Sequence, residues 1–227
     1  MSSITIYPSI LTDSIEEVQK QVDLAKACPD VEVLQLDIID GFFADNLTVT
    51  PQSLLEVDFG DLQLDLHLMV EEPMDMMAEI EAVMEHLPIR AIIAQIEKMT
   101  YQTDFVEDVK KMGLKVGLSL DIFTPVDSLD EGILNKLDFI QFMGIEAGFQ
   151  GQKLNSTIFA KLTDFFSQPT VTNRDGLSLE VIFDGGVTEA NIDQFIDLGI
   201  SSFAIGSTLW QADDFCQQYR TYLQMGD

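Results

Sequence analysis

Apolar residues along the chain follow two arrangements that alternate from end to end. In the first, short and nearly continuous apolar runs have the length of parallel strands buried on both faces. In the second, apolar positions recur every three or four residues, as in Ile15, Val18, Val22 and Ala25, which is typical of a helix with one buried face. The predicted strands are Ile4–Ile10, Val31–Ile38, Gln63–Val70, Arg90–Ile96, Lys115–Leu120, Leu137–Met143, Leu179–Phe183 and Ser202–Ile205.

Helical spacing fills the intervals between these strands. Alternating strands and helices predict parallel strands joined by right-handed crossovers. About eight such units in 227 residues favour one (β/α)8 TIM barrel domain over 1–227. A doubly wound open sheet is the alternative, but no Gly-x-Gly-x-x-Gly follows the first strand. The predicted helices are Asp13–Ala27, Pro73–Leu87, Thr103–Met112, one beginning at Thr124-Pro125, Ser156–Phe166, Thr188–Leu198 and a last one ending near Tyr222.

The charge balance narrows the classes of partner. The chain has 39 acidic and 12 basic residues, which gives a formal net charge of -27. We therefore expect no nucleic-acid partner and no anionic membrane, because phosphates require clusters of Lys and Arg. An anionic small molecule would have to be held by backbone amides and helix N-termini.

The cellular location is predicted from the first residues and the cysteines. Met1–Leu11 lacks the basic region of a signal peptide, and no apolar run is long enough to span a bilayer. We therefore expect a cytoplasmic protein. Cys28 and Cys216 form no metal-binding spacing and are too few for a disulfide scaffold, so free thiols in a reducing cytosol are expected.

Polar residues fall at equivalent places in the predicted barrel, where strands end. Asp184 follows a buried strand, and Gly185-Gly186 then allow a tight turn and close approach to a ligand. The active site of such a barrel lies at the C-terminal ends of its strands. Six residues from different strands are thereby predicted to surround one mouth: Ser9, Asp37, His67, Met143, Asp184 and Ser207.

The positions of two aspartates indicate acid–base catalysis. Asp37 and Asp184 would lie on opposite sides of a ligand whose phosphate is held by the loops after the seventh and eighth strands. Opposed carboxylates can remove a proton on one face and return one on the other. Neighbouring carboxylates also push their pKa values apart, so one tends to be protonated while the other is ionised.

Eight short segments have the order and spacing of one known family: Pro8–Leu11, Asp37–Gly41, Asn46–Thr48, Asp65–Val70, Thr124-Pro125, Met143 with Gly148–Gln152, Asp184–Val187 with Asn191, and Gly206-Ser207. Together they resemble the ribulose-phosphate 3-epimerase family. The resemblance implies a ribulose-phosphate-binding barrel that interconverts D-ribulose 5-phosphate and D-xylulose 5-phosphate through an enediolate, with Asp37 and Asp184 as the acid/base pair. The substrate-binding residues that the resemblance implies are Ser9, His67, Met69, Met143, Gly148, Phe149, Gln150, Gly151, Gly185, Gly186, Gly206 and Ser207.

The resemblance also implies a divalent metal, held in the family by His, Asp, His and Asp. Asp37, His67 and Asp184 match three of these ligands, but Gln35 stands at the place of the first His. Zinc prefers imidazole or thiolate to an amide oxygen, whereas magnesium or manganese tolerates the amide better. We therefore expect zinc, manganese, iron or magnesium to be bound weakly or not at all.

Several interpretations stay open at this point. The chain is an active epimerase for this or another ketose phosphate, a non-catalytic sugar-phosphate-binding paralogue, or an enzyme like orotidine-phosphate decarboxylase. Enzymes of the last kind have an Asp-x-Lys-x-x-Asp motif on their strands, whereas the segment Asp37–Asp40 of this chain contains no Lys. The expected partner is a small-molecule sugar phosphate, and we expect a homo-oligomer.

Overall fold

The computed structural model describes residues 4–168, 171 and 179–226. Eight parallel strands form a closed barrel in sequence order, which confirms the predicted (β/α)8 architecture and rules out the open sheet. The strands are β1 Thr5–Ile10, β2 Val33–Ile39, β3 Gln63–Met69, β4 Ile89–Gln95, β5 Lys115–Leu120, β6 Phe139–Met143, β7 Glu180–Asp184 and β8 Ser202–Ile205.

Helices surround the barrel and bury one face each. In the first of them, Ser14 caps the N-terminus and Val18, Val22 and Ala25 are buried, as the spacing predicts. The described helices are α1 Ile15–Lys26, α2 Pro73–Val83, α3 Gln102–Lys111, α4 Ile158–Ser167, α5 Ile192–Asp197, α6 Ser207–Trp210 and α7 Phe215–Gln224. None of the helices in these ranges is long and apolar enough to cross a membrane.

Strand register brings the polar positions to one level. Asp37 on β2 pairs with His67 on β3, and Met143 on β6 pairs with Asp184 on β7. All seven residues of β2 are buried, because helices cover the outside and side chains fill the inside. The inward side chains near the C-terminal ends are therefore polar groups held in a rigid, dry frame.

The predicted helix at Thr124-Pro125 is wrong. The segment contains two short 3-10 turns instead, Val126–Ser128 and Ile133–Lys136. The side chain of Gln102 donates to the carbonyl of Ser128 at 2.8 Å and accepts from the amide of Asp130 at 2.9 Å. These bonds use backbone groups that a helix would need for itself.

Two other predicted helices differ from those in the structure. Asn191 accepts from the Thr188 amide and donates to the Gly186 carbonyl, so the chain stays in a turn and α5 begins at Ile192. The predicted last helix is divided between α6 and α7. Asp214 caps a fresh helix start by accepting from the Gln217 amide at 2.9 Å.

The expectation of free thiols is also wrong. Cys28 and Cys216 form a disulfide, although they are 188 residues apart in sequence. Closing the barrel makes the first and last helices neighbours, so residues from the two ends of the chain meet. Spacing along the sequence carries no signal for such a pairing.

Candidate active site

A cavity of about 340 Å³ opens at the C-terminal ends of the strands. Asp37 and Asp184 lie on its wall, as the barrel rule predicts. The structure places His67 elsewhere, fully buried and outside the cavity lining. The other implied substrate contacts all line the cavity: Ser9, Met69, Met143, Gly148, Phe149, Gln150, Gly151, Gly185, Gly186, Gly206 and Ser207.

The two carboxylates are joined through one carboxamide. The side-chain nitrogen of Gln35 donates to Asp37 Oδ1 at 3.0 Å and to Asp184 Oδ2 at 2.7 Å. Both aspartates are 6% exposed, so these contacts are made in a nearly dry environment. Hydrogen bonds to ionised groups are among the stronger ones in proteins, and this pair fixes the carboxylates relative to each other.

The imidazole of His67 lies next to both carboxylates. Its Nδ1 lies 3.0 Å from Asp37 Oδ1 and 3.7 Å from Asp184 Oδ2. On the other side of the ring, Nε2 lies 3.1 Å from the side-chain nitrogen of Gln95. Both ring nitrogens of the imidazole are thus in contact with polar side chains.

A second carboxamide reaches the same place from the far side of the barrel. The side-chain nitrogen of Gln141 donates to Asp184 Oδ2 at 2.9 Å and lies 3.3 Å from His67 Nδ1. Gln141 is on β6 and Gln35 is on β2, which are opposite strands of the eight-stranded ring. Their amide groups therefore converge at its centre.

Burial and neighbouring charges shift the pKa values of Asp184 and His67. Burial raises the pKa of Asp184 to about 7, with a further contribution from the charge of Asp37, while His67 and Gln35 oppose the rise. Burial disfavours the charged form of His67, but Asp37, Asp184 and Glu97 outweigh it and leave the pKa of His67 above its ordinary value. A buried carboxyl that holds its proton near neutral pH is typical of a general acid.

The donor set fits a divalent cation. Asp37, His67 and Asp184 each offer one ligand atom, and these atoms all lie within 4.8 Å of one another. Two buried carboxylates and one imidazole leave negative charge that a cation would neutralise. Gln35, at the position of the missing His, sits between the two carboxylates.

Polar contacts from the loop after β2 fix the upper end of this strand and the entrance of the cavity. Thr48 donates to the carbonyl of Asp37 at 2.7 Å and accepts from the amide of Ile39 at 2.9 Å. Asn46 donates to the carbonyl of Gly148 at 2.7 Å, which ties the loop after β2 to the loop after β6. The loop after β6 lines the cavity, so this bond braces the cavity wall from outside.

The glycine turn after β7 has the conformation that its sequence predicts. Gly185 and Gly186 have φ of 95° and 75°, in the left-handed region that favours glycine. Gly144 lies directly against this turn. A Cβ added to Gly144 would come within 2.4 Å of the Gly185 carbonyl oxygen, so the absence of a side chain there lets the backbones meet.

An apolar wall faces the carboxylates. Met69 and Met143 are buried and pack with Ile39 and Ala147 into a separate small cluster at the barrel mouth. Such a wall excludes water from the space between the two carboxyl groups. Both methionines line the cavity at this wall.

Two residues at the site escaped the sequence-based prediction. Gln141 is buried beside the carboxylate of Asp184, and Lys153 lines the cavity just after the glycine-rich loop. For Gln141 the signal was a polar residue inside an apolar strand, two positions before Met143. For Lys153 it was a lone cation beside Gly148–Gln152 in an acidic chain.

Comparison with known proteins identifies similar sequences. A model of the ribulose-phosphate 3 epimerase family matches residues 5–210. The chain is 28% identical over 214 residues to the ribulose-phosphate 3-epimerase of Bacillus subtilis (strain 168), covering 93% of this chain and 94% of that protein. Against the ribulose-phosphate 3-epimerase of Escherichia coli (strain K12) the identity is 27% over 218 residues, covering 95% and 92%.

Solved structures share the fold at low identity. A mutant tryptophan synthase alpha-subunit from Pyrococcus furiosus superimposes with a TM-score of 0.65 at 10% identity, covering 99% of this chain and 96% of that one. Orotidine 5'-monophosphate decarboxylase from Methanocaldococcus jannaschii gives a TM-score of 0.63 at 12% identity, covering 100% and 99%. These likenesses are evidence for the barrel alone.

Proposed function

The chain belongs to the ribulose-phosphate 3-epimerase family and is an enzyme of the isomerase class, and from that premise we propose which reaction it catalyses. The enzyme inverts C3 of a ketopentose phosphate, D-ribulose 5-phosphate or D-xylulose 5-phosphate, by two proton transfers through an enediolate. The observation that carries this proposal is the pair of buried carboxyl groups, Asp37 and Asp184, on the wall of one cavity.

The geometry supports a two-base exchange. One carboxylate removes the C3 proton, which leaves the electron pair in the enediolate, and the other carboxyl group delivers a proton to the opposite face of C3. Because Asp184 holds its proton near neutral pH, it suits the delivering role in one direction of the reaction. In the reverse direction the roles exchange, as a reversible epimerisation requires.

The neighbouring residues keep this exchange selective. Met69 and Met143 exclude water from C3, so the proton removed is replaced from a carboxyl group. Gln35 holds the two carboxyl groups at a fixed separation. Asp37, His67 and Asp184 would hold a divalent cation, which when bound would offset part of the negative charge of the enediolate.

The phosphate of the substrate is assigned to the loops after β7 and β8. Gly186, Gly206 and Ser207 line that side of the cavity, and a Cβ added to Gly206 would lie 2.7 Å from Gln150 Nε2 and 2.9 Å from Ser9 Oγ. A side chain at residue 206 would therefore displace Gln150 and Ser9, two other residues of the cavity lining. The loop Gly148–Gly151 would close over the phosphate.

The reaction is tested by following solvent deuterium into C3 of D-ribulose 5-phosphate. Wild-type protein should incorporate one deuterium per turnover, and Asp37→Asn or Asp184→Asn should lower turnover at least about a hundredfold. Asp193→Asn, on the exposed face of α5, is the matched control and should keep the wild-type rate. Both site variants at near wild-type rates would overturn the two-base assignment, and binding without exchange would support a non-catalytic paralogue.

The phosphate site is tested by inhibition with inorganic phosphate. Gly206→Ala should raise the inhibition constant at least about tenfold, a change of roughly 1.4 kcal/mol. Lys153→Met should change it little, because an exposed charge contributes only modestly to binding. The reverse result, with Lys153→Met weakening inhibition and Gly206→Ala not, would move the phosphate to the lysine side chain.

A further inference from the structure

Gln141 lies deeper in the site than its sequence position suggests. It is 0% exposed, and its side-chain nitrogen contacts Asp184 Oδ2 at 2.9 Å and His67 Nδ1 at 3.3 Å. The amide of Gln35 approaches the same two atoms, at 2.7 Å and 3.5 Å. Two carboxamides from opposite strands thus meet the same carboxylate oxygen and the same imidazole nitrogen.

The separations among these groups have the lengths expected around one ion. Ligand atoms about 2.1 Å from a cation, at right angles to each other, lie about 3 Å apart. His67 Nδ1 and Asp37 Oδ1 are 3.0 Å apart, and the ligand atoms of Asp37, His67 and Asp184 all lie within 4.8 Å of one another. With the contacts of Gln141, five side chains from five positions surround one small volume.

The side-chain oxygen of Gln141 is a second indication of a cation at this place. Its side-chain oxygen is buried and has no hydrogen-bond partner among the described residues. An unpaired buried acceptor costs about 1–3 kcal/mol. A half-turn about the last side-chain bond exchanges oxygen and nitrogen and places the oxygen against Asp184 and His67, where a cation would satisfy it.

We propose that Gln141 is a ligand of a divalent cation at this centre. Its side-chain oxygen joins the carboxylate oxygens of Asp37 and Asp184 and the single imidazole of His67. A set dominated by oxygen favours Mg²⁺ or Mn²⁺ over Zn²⁺, which prefers nitrogen and sulfur donors. The inference rests on the proposed function only in placing the cation beside the catalytic carboxylates.

The test measures metal binding without substrate. Chelator-treated wild-type protein is titrated with Mn²⁺, and free Mn²⁺ is followed by electron paramagnetic resonance. Gln141→Leu should weaken Mn²⁺ at least tenfold, and line broadening by ¹⁷O-water should show one more water on the bound ion. Gln141→His, which supplies an imidazole, should instead raise the ratio of Zn²⁺ to Mn²⁺ affinity at least tenfold.

Ser119 provides a matched control. It is buried on β5 in register with Gln141, and its hydroxyl likewise has no partner among the described residues. Ser119→Ala removes a buried polar atom from the same layer and should leave Mn²⁺ binding unchanged. Gln141→Asn, which keeps the carboxamide but is one methylene too short, should behave like Gln141→Leu and replaces it if that variant does not fold.

Two results would overturn the assignment. One is a folded Gln141 variant with wild-type Mn²⁺ affinity and an unchanged number of bound waters. The other is wild-type protein that binds no Mn²⁺. Deuterium exchange at C3 in the presence of chelator would, in that second case, leave the proposed epimerase function standing, so the two failures are distinguishable.

Discussion

At the scale of single residues, the site is governed by how two carboxyl groups share a buried volume. Asp184 lies close to Asp37 and away from water, and both facts favour its neutral form. The charge of His67 and the hydrogen bond from Gln35 oppose this. The balance makes the stability of the folded protein depend on the protonation of Asp184.

This dependence predicts a pH effect on stability. The pKa of Asp184 is about 7 when folded, against an ordinary value of 3.8. The folded state therefore binds the proton more tightly, and the stability from this group is complete below about pH 4 and is lost as pH rises through about 7. We expect the free energy of unfolding of chelator-treated protein to fall across this window more steeply for wild type than for Asp184→Asn.

Urea unfolding at pH 5 and pH 8 measures the difference. The two proteins differ only at residue 184, so the difference between their slopes reports this carboxyl group together with the groups it contacts. The variant should gain stability relative to wild type as pH rises. Equal slopes for the two proteins would contradict the assigned pKa.

At the scale of elements, the strands carry the chemistry and the outer helices hold the ring closed. Cys28 follows α1 and Cys216 lies in α7, so their disulfide links the first and last helices of the barrel. Neither cysteine lines the cavity at the barrel mouth. We infer that the bond contributes to stability rather than to the reaction.

Removing this bond should therefore weaken folding and leave turnover intact. The double variant Cys28→Ser with Cys216→Ser should lose about 2–4 kcal/mol of unfolding free energy, because the unfolded chain regains the freedom that the link removes. Urea titration gives the loss, and wild type in reducing agent should match the variant. A variant with the wild-type midpoint would show that the link adds nothing to stability.

At the scale of the whole molecule, the net charge of -27 opposes the approach of an anionic substrate. Local backbone amides in the cavity can bind a phosphate, but the long-range field acts on the encounter before those contacts form. Salt reduces that field, since the Debye length falls from about 30 Å at 0.01 M to about 8 Å at 0.15 M.

We therefore expect kcat/KM for the sugar phosphate to rise with added KCl over this range. The rise should appear in KM more than in kcat, because repulsion acts on encounter. Initial rates at saturating Mn²⁺ measure it, with sucrose of equal osmolality as the control. If kcat/KM falls or stays level as salt is added, the surface charge does not repel the substrate at the cavity mouth.

The amino-acid sequence by itself determined the barrel and most of the cavity. Strand–helix alternation predicts the closed ring, and the rule that such barrels react at their strand ends gathers Ser9, Asp37, Asp184 and Ser207 correctly. Motifs at strand ends are local, so the sequence records them. Hydrophobic periodicity likewise depends on neighbours a few residues apart.

Tertiary structure alone decided the features that join distant positions. These are the Cys28–Cys216 bond, the irregular segment held by Gln102, and the convergence of Gln35 and Gln141 on Asp184. All three depend on which side chains face each other once the ring closes. In the sequence, a glutamine inside a strand has the same pattern whether it caps a turn, fills the core or contacts a ligand. Its contacts across the barrel decide its role, because they are set by the register and closure of the strands.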